Sequence, residues 1–292
     1  MRLNIQDNGY ENHSDLLRRT VAERITLDSS GSEMKIVLSI DENIGKAESF
    51  LIEPLDNVWK ITGADILGLY FGIGKFLHTA KWSENDFEPN PPIGVSTPAH
   101  YYRAVYTAIH FYNWYHQASA EELKKYLEEL LLWGHNTIIS ILPIVNLESL
   151  EEPAFYESVE KNRELFQLAK GMGMKVGTML SANQGLSTAP DEFQADLSIF
   201  EYRGGNSGMN LCPHKDGALD YLRYLWVTTL KQYEDIGLDY LISWPYDEGG
   251  CGCEKCRPWG ARGFCDSSTE MFKEVKRFYP DCKFILSTWY FD

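Results

Sequence analysis

From Tyr101 to Asp292 the chain alternates between short apolar runs and amphipathic stretches, and that rhythm limits the folds open to it. "YYRAVYTAIHF" (101–111), "TIISILPI" (137–144), "KVGTMLSA" (175–182), "LDYLISWPY" (238–246) and "CKFILSTWYFD" (282–292) read as strands. Helices stand between them. Ser119 opens one as its N-cap, with Glu122 as capping-box partner and Leu123, Tyr126, Leu127, Leu130 and Leu131 at helical spacing. Others are expected over 156–173, 218–237 and 268–280. "TIISILPI" has no polar alternation, as a strand buried on both faces requires. Strands joined by helices imply a right-handed parallel β/α layout, either a doubly wound sheet or a (β/α)8 barrel. No nucleotide-binding fingerprint follows the first strand, which tilts the choice to a TIM barrel. Five β/α units cannot close a barrel, so the natural protein is expected to continue past Asp292 or to be completed by a partner.

The region before Tyr101 has a different texture. "IVLSID" (36–41), "SFLIEP" (49–54) and "VWKITG" (58–63) are short β-prone runs separated by turn residues. Ile66, Leu69, Tyr70, Ile73, Phe76 and Leu77 then recur at helical spacing. Gly68, Gly72 and Gly74 lower the helicity of that stretch, and close packing of the helix on a sheet explains them. A phosphate loop would need a strand–loop–Lys/Ser context, which is missing. The Pro-rich segment 85–100 reads as a joint. The expected organisation is a small N-terminal α/β domain over 1–97 and a partial β/α barrel over 98–292.

The densest chemistry lies in "LISWPYDEGGCGCEKCRPWG" (241–260). An apolar strand ends in Asp247 and Glu248, flanked by Trp244 and Tyr246. Catalytic groups of β/α barrels sit at C-terminal strand ends. A carboxyl group whose pKa is raised by apolar neighbours can protonate a leaving oxygen, which suits Glu248, while Asp247 stays ionised and orients. The same two residues also suit an acidic turn. Cys251, Cys253 and Cys256 follow as C-x-C-x2-C, and C-x2-C is the common half-site of structural zinc. The fourth ligand would be Cys212, with Cys265 and His214 as alternatives. A set of reduced thiols is the other reading.

A net charge of −15 disfavours nucleic acid and anionic membrane surfaces as partners. No apolar run is long enough to span a bilayer, and the polar N-terminus lacks a signal core. A soluble chain is expected, either cytoplasmic or stripped of its signal, and its oligomeric state is left open. Aromatic residues make up 13% of the chain, enough to line a sugar cleft by stacking as well as to fill a core.

These features resemble the retaining β-N-acetylhexosaminidases, family 20 of the glycoside hydrolases. The resemblance runs through "NLCP" (210–213), the helix to Gly237, "SWPYDE" (243–248), "CEKC" (253–256), the next helix and "TWYFD" (288–292). Residues 47–80 resemble the small α/β domain that precedes the barrel in these enzymes and in α-glucuronidase-like relatives. The resemblance implies Glu248 as general acid/base. Asp247 would orient the substrate's own 2-acetamido group, which attacks the anomeric carbon in place of an enzyme nucleophile. Arg103 resembles the arginine that grips sugar hydroxyls, Trp289 a wall of the sugar subsite, and Asp292 the acid after it. Trp244 and Tyr246 would line the pocket. The implied partner is a glycan with a terminal amino sugar, and catalysis needs no cofactor; the cysteines offer, separately, a site for a structural zinc. The chain departs from the family in having Ser243-Trp244-Pro245-Tyr246 where His-x-Gly-Gly is usual, and in lacking Glu and His after the 175–182 strand. Two alternatives follow: a related glycosidase for another sugar such as a uronic acid, or a non-catalytic sugar-binding or scaffold protein.

Overall fold

The computed structural model describes residues 1–27, 33–108, 113–141, 144, 147–198, 209–247 and 249–288. In chain order these form β1 (Arg2–Gln6), α1 (Glu11–Ala22), β2 (Glu33–Ile40), β3 (Phe50–Leu55), β4 (Val58–Gly63), α2 (Ile66–His78), β5 (Lys81–Trp82), β6 (Phe87–Glu88) and β7 (Gly94–Ser96). Then come β8 (Ala104–Thr107), α3 (Trp114–Gln117), α4 (Ala120–Leu132), β9 (Thr137–Ile141), α5 (Pro153–Gly171), β10 (Lys175–Ser181), α6 (Ala218–Lys231), β11 (Tyr240–Trp244), α7 (Gly263–Phe278) and β12 (Lys283–Leu286). No helix among the described residues is long and apolar enough to cross a membrane.

The chain divides into two compact units, 1–104 with 121–137 and 171–174, and 105–120 with 138–170 and 175–292. The first is built on a sheet of order β1-β2-β4-β3-β7, with β1, β2 and β4 parallel and β3 antiparallel to both its neighbours. Helix α2 is buried along most of its length. Its Asp65 cap accepts from the Gly68 N–H at 2.8 Å and from the Glu48 N–H at 2.8 Å. The glycines of α2 are there for close approach. A Cβ on Gly68 would stand 2.2 Å from the Ser49 carbonyl oxygen, and one on Gly72 2.8 Å from an Ile61 methyl of β4. Gly74 serves a helix rather than the sheet, since a Cβ there would meet the Leu132 carbonyl oxygen at 1.9 Å. That contact, with the ion pair of Arg19 to the buried Glu128, shows why α4 belongs to this unit although it lies beyond residue 97. Burial holds the Glu128 carboxyl above its ordinary pKa even beside Arg19.

The second unit carries a sheet of order β12-β11-β10-β9-β8. Each strand lies beside its predecessor in the chain, and the order never reverses. A doubly wound sheet has a switch point where the order turns back, so this succession is that of neighbouring barrel strands. The pairs β10–β11 and β11–β12 are parallel, in registers that bring Ser181 beside Trp244 and Ser243 beside Leu286. Thr137–Ser140 and Val176–Leu180 are buried throughout, as strands covered on both faces must be. Phe155 and Val159 of α5 meet Leu225 of α6 in an apolar cluster with Leu147, Leu150 and Leu186.

Two helix starts and one whole helix differ from the sequence expectation. Helix α5 begins at Pro153, where a missing N–H costs nothing in the first turn. Helix α7 begins at Gly263 instead of Ser268, because Phe264 is buried and Gly263 fits beneath the Trp259 ring. Helix α1 goes unread in the sequence because its buried face mixes Leu16, Leu17 and Val21 with His13, Ser14 and Thr20.

Adding one methyl group at Gly74 tests the α2–α4 contact. Gly74→Ala is expected to lower stability by about 2–3 kcal/mol, because a backbone carbonyl cannot retreat as a side chain can. Gly72→Ala, which meets side chains, should cost less. Urea unfolding of the two variants measures the difference.

Candidate functional site

The chemistry predicted after β11 depends on how the chain leaves that strand. Beyond Trp244 the loop is held by two buried amides, Asn183 and Asn210, 0% and 1% exposed. Asn183 Oδ1 accepts from the Tyr246 N–H at 2.9 Å, and its Nδ2 donates to the Gly249 carbonyl at 3.0 Å and to Asn210 Oδ1 at 2.6 Å. Asn210 Nδ2 donates to the Gly250 carbonyl at 3.1 Å. The Gly249 N–H closes the turn onto the Tyr246 carbonyl at 2.9 Å. Gly249 has φ +105°, a conformation glycine adopts without strain. Main-chain groups on both sides of position 248 are thus satisfied by side chains in a place where water does not serve them.

Asp247 stands exposed at this strand end, and its Oδ1 accepts from the indole N–H of Trp244 at 3.1 Å. That bond sets the direction of the carboxylate. Tyr106, on β8, is pushed up to about 12, first by burial and then by the negative charge of Asp247. The phenol therefore keeps its proton and can donate. A carboxylate, an indole N–H and a phenol at the C-terminal ends of parallel strands make a polar, aromatic-walled patch able to orient a neutral polar group of a ligand. Tyr246 is half-buried beside Asp247. Glu248, Trp289 and Asp292 lie outside the described residues.

Arg103 belongs to the first unit, whereas Trp244, Tyr246 and Asp247 belong to the second. Its guanidinium is bonded to Glu48 at 2.7 Å, to the Gly134 carbonyl at 2.6 Å and to the His100 carbonyl, and it lies over the Phe71 ring at 5.0 Å. Asn136 Nδ2 joins this network through Glu48 at 3.0 Å. All three guanidinium nitrogens are thus engaged by the protein. The arginine knits the first unit together through these bonds, and the grip on sugar hydroxyls is a role that the family resemblance alone assigns to it.

The cysteines form the second feature. The Sγ atoms of Cys212, Cys251, Cys253 and Cys256 all lie within 4.8 Å of one another. Cys212 stands 3.8 Å from Cys253 and 3.7 Å from Cys256. Of the three candidates for the fourth position, Cys212 is the one whose sulfur joins the group. Cys265 Sγ turns to the Gly260 carbonyl at 3.0 Å. His214 sits just outside, with Nδ1 3.3 Å from Cys256 Sγ and Nε2 3.0 Å from Asp266 Oδ2. Protons alone divide the cluster unevenly. Hydrogen bonds from Cys251 and Cys256 hold Cys212 down to about 4, while bonding to Cys212 and Cys251 pushes Cys256 up. Beneath the cluster the buried Trp259 ring takes the space of two side chains. A Cβ on Gly250 would stand 2.1 Å from it and one on Gly263 2.4 Å.

Asn183, Asn210 and Tyr106 are the site residues that the sequence reading missed. Asn183 directly follows the "KVGTMLSA" run and Asn210 opens "NLCP". The usable signal at Asn183 was an amide directly after a largely apolar strand, a position that is buried and so needs specific partners.

No family model matches the chain, and no curated protein matches its sequence. Solved structures do match its fold. A family 20 β-N-acetylglucosaminidase aligns at 16% identity and TM-score 0.67, over 97% of this chain and 61% of that one. A mutant Streptomyces plicatus β-hexosaminidase in complex with its product GlcNAc aligns at 13% and 0.64, over 97% and 60%. A family 138 enzyme targeting pectin rhamnogalacturonan II aligns at 15% and 0.55, over 98% and 38%. The chain has the hexosaminidase type of fold, a small sheet domain followed by consecutive barrel strands, and spans about 61% of the length of the first of these neighbours.

Two expected outcomes follow from this geometry. Asn183→Leu removes the side-chain bonds to the Tyr246 N–H, the Gly249 carbonyl and Asn210 Oδ1, and should cost about 1–3 kcal/mol per group so orphaned, read by urea unfolding. Asp247→Asn removes the anion that helps hold Tyr106 protonated. The Tyr106 pKa should then fall while staying above the ordinary tyrosine value, because burial persists. An NMR titration of labelled tyrosine, assigned with Tyr106→Phe, measures it.

Proposed function

We propose that the chain carries the acid/base machinery of a retaining glycoside hydrolase that removes a terminal N-acetylhexosamine from glycans. The observation that carries this reading is the directed Asp247 carboxylate at the C-terminal end of β11, in a fold shared with family 20 enzymes. In this mechanism Glu248 protonates the glycosidic oxygen as the C1–O bond breaks. Asp247 accepts a hydrogen bond from the acetamido N–H of the substrate, and the acetamido carbonyl oxygen bonds to C1. Proximity supplies much of the rate, since the attacking oxygen is already beside C1. The oxazolinium ring carries a positive charge that the Asp247 carboxylate stabilises. Water then attacks C1, Glu248 takes its proton, and the sugar leaves with its configuration retained. Tyr106 and Trp244 orient the carboxylate and the acetamido group. The pairing of an exposed, directed acid with aromatic neighbours is what this chemistry requires.

The family 138 neighbour, which targets a pectin, favours a second reading in which the same acid pair serves another sugar such as a uronic acid. The usual His-x-Gly-Gly is also replaced by Ser243-Trp244-Pro245-Tyr246.

Glu248→Gln should lower release of phenol from aryl N-acetyl-β-glucosaminides by at least about a hundredfold, the usual contribution of a general acid. Full activity in that variant would sink the acid assignment. Turnover of aryl uronides but not of N-acetyl substrates, on one panel, would move the reading to the second sugar.

A further inference from the structure

We propose that Cys212, Cys251, Cys253 and Cys256 hold one zinc ion as four thiolates, and that this centre fastens the loop following β11 to the 209–212 segment. The inference goes beyond the glycosidase reading and does not rest on it.

The spacing is that of a single tetrahedral ion. Zinc–sulfur bonds of about 2.3 Å place the sulfurs of a tetrahedron about 3.8 Å apart. Cys212 stands at 3.8 and 3.7 Å from two of its partners, and all four sulfurs fall within 4.8 Å. A disulfide needs sulfurs about 2.05 Å apart, and the six cysteines of the chain are all free. An iron–sulfur cluster spreads its thiolates around several metal atoms, so they stand farther apart than around one ion. Calcium and magnesium prefer oxygen, whereas four soft thiolates in a tetrahedron suit zinc.

The surroundings suit thiolates as well. Cys212, Cys251 and Cys256 are buried, and the Asp196 N–H donates to Cys251 Sγ at 3.3 Å. The C-x2-C segment makes the tight turn that brings two ligands to one ion, with the Cys256 N–H on the Cys253 carbonyl at 3.0 Å. His214 Nδ1 lies against Cys256 Sγ while Asp266 pairs with its other nitrogen. This resembles the outer-shell hydrogen bonding that orients ligands in metal sites. Four thiolates around Zn²⁺ leave a net charge of −2. Lys255 and Arg257 flank Cys256 in the chain and Lys215 lies three residues beyond Cys212, and these cations offset it. Binding exchanges protons for metal: each thiol that becomes a ligand releases one proton to solvent, and no electron moves.

The consequence for the strand end is positional. Gly250 and Cys251 directly follow the Asn183–Asn210 clamp, and Cys212 lies two residues beyond Asn210. One ion therefore joins the two segments that the amides also join.

The test uses the whole chain and does not depend on its activity. Protein purified with zinc in the medium should carry one zinc per chain, released when a mercurial titrates the thiols. Replacing zinc with cobalt should give the intense thiolate-to-cobalt charge-transfer and visible bands of a tetrahedral thiolate site. Cys212→Ser should lower bound zinc at least tenfold, while Cys265→Ser keeps it. If Cys212→Ser does not fold, the cobalt spectrum of the unaltered chain still decides. A zinc-free chain that gives no cobalt bands overturns the proposal, as does Cys212→Ser retaining full zinc. A chain that binds a single iron at these sulfurs in preference to zinc overturns the choice of metal.

Discussion

The pair of buried amides, Asn183 and Asn210, is the interaction on which the strand end depends. A chain leaving a parallel strand exposes N–H and C=O groups that no ladder serves, and here they turn inward where water does not reach. Asn183 uses its acceptor and both donors, and Asn210 answers it, so that Tyr246, Gly249 and Gly250 are bonded from one side by side chains alone. The four clustered sulfurs and the Trp259 ring seated on Gly250 and Gly263 then act on the same stretch of chain. Hydrogen bonds fix its path, the sulfurs converge on its far end, and the ring fills the space beneath.

Under the proposed glycosidase reading, such rigidity has a chemical use. Asp247 is exposed and by itself would sample many directions. The Trp244 indole removes that freedom at one oxygen, and Tyr106 approaches from a neighbouring part of the sheet with its proton retained. A preorganised carboxylate works because its alignment is established in folding and is not repeated at each turnover. Arg103 illustrates the converse. The family resemblance implies a ligand-gripping group there, and in this structure Glu48, Gly134 and His100 engage its donors.

Much of the architecture was legible in the residues. The apolar run at 137–144 announced a doubly covered strand and that at 175–182 a strand, and Gly68 and Gly72 announced close packing of α2 on the sheet. The choice of a barrel over a doubly wound sheet was legible only through the missing nucleotide fingerprint and the family resemblance, because both folds use the same local pattern and differ in which strands become neighbours. Helix α1 was hidden by polar residues on its buried face. Within the site, C-x-C-x2-C located three sulfurs, but a fourth from 39 residues earlier is a fact of tertiary structure that spacing leaves open among several residues. The amide clamp was hidden for a related reason. A lone asparagine after a strand looks like a turn former, and only its partners reveal that it is buried.

The sequential order β8 to β12 carries a consequence for how the molecule is made. Each new strand finds its partner in the one before it, across a connection that contains helix, so no pairing skips a strand. Sheets of this kind have low contact order for a β-containing fold, and the entropy of loop closure is met in small steps. The growing edge can therefore advance with synthesis, one β/α unit at a time. The 209–212 segment is the exception. It must wait for residues 249–256 before its amide and its thiol have anything to hold, which makes the strand-end fastening a late event in an otherwise vectorial assembly.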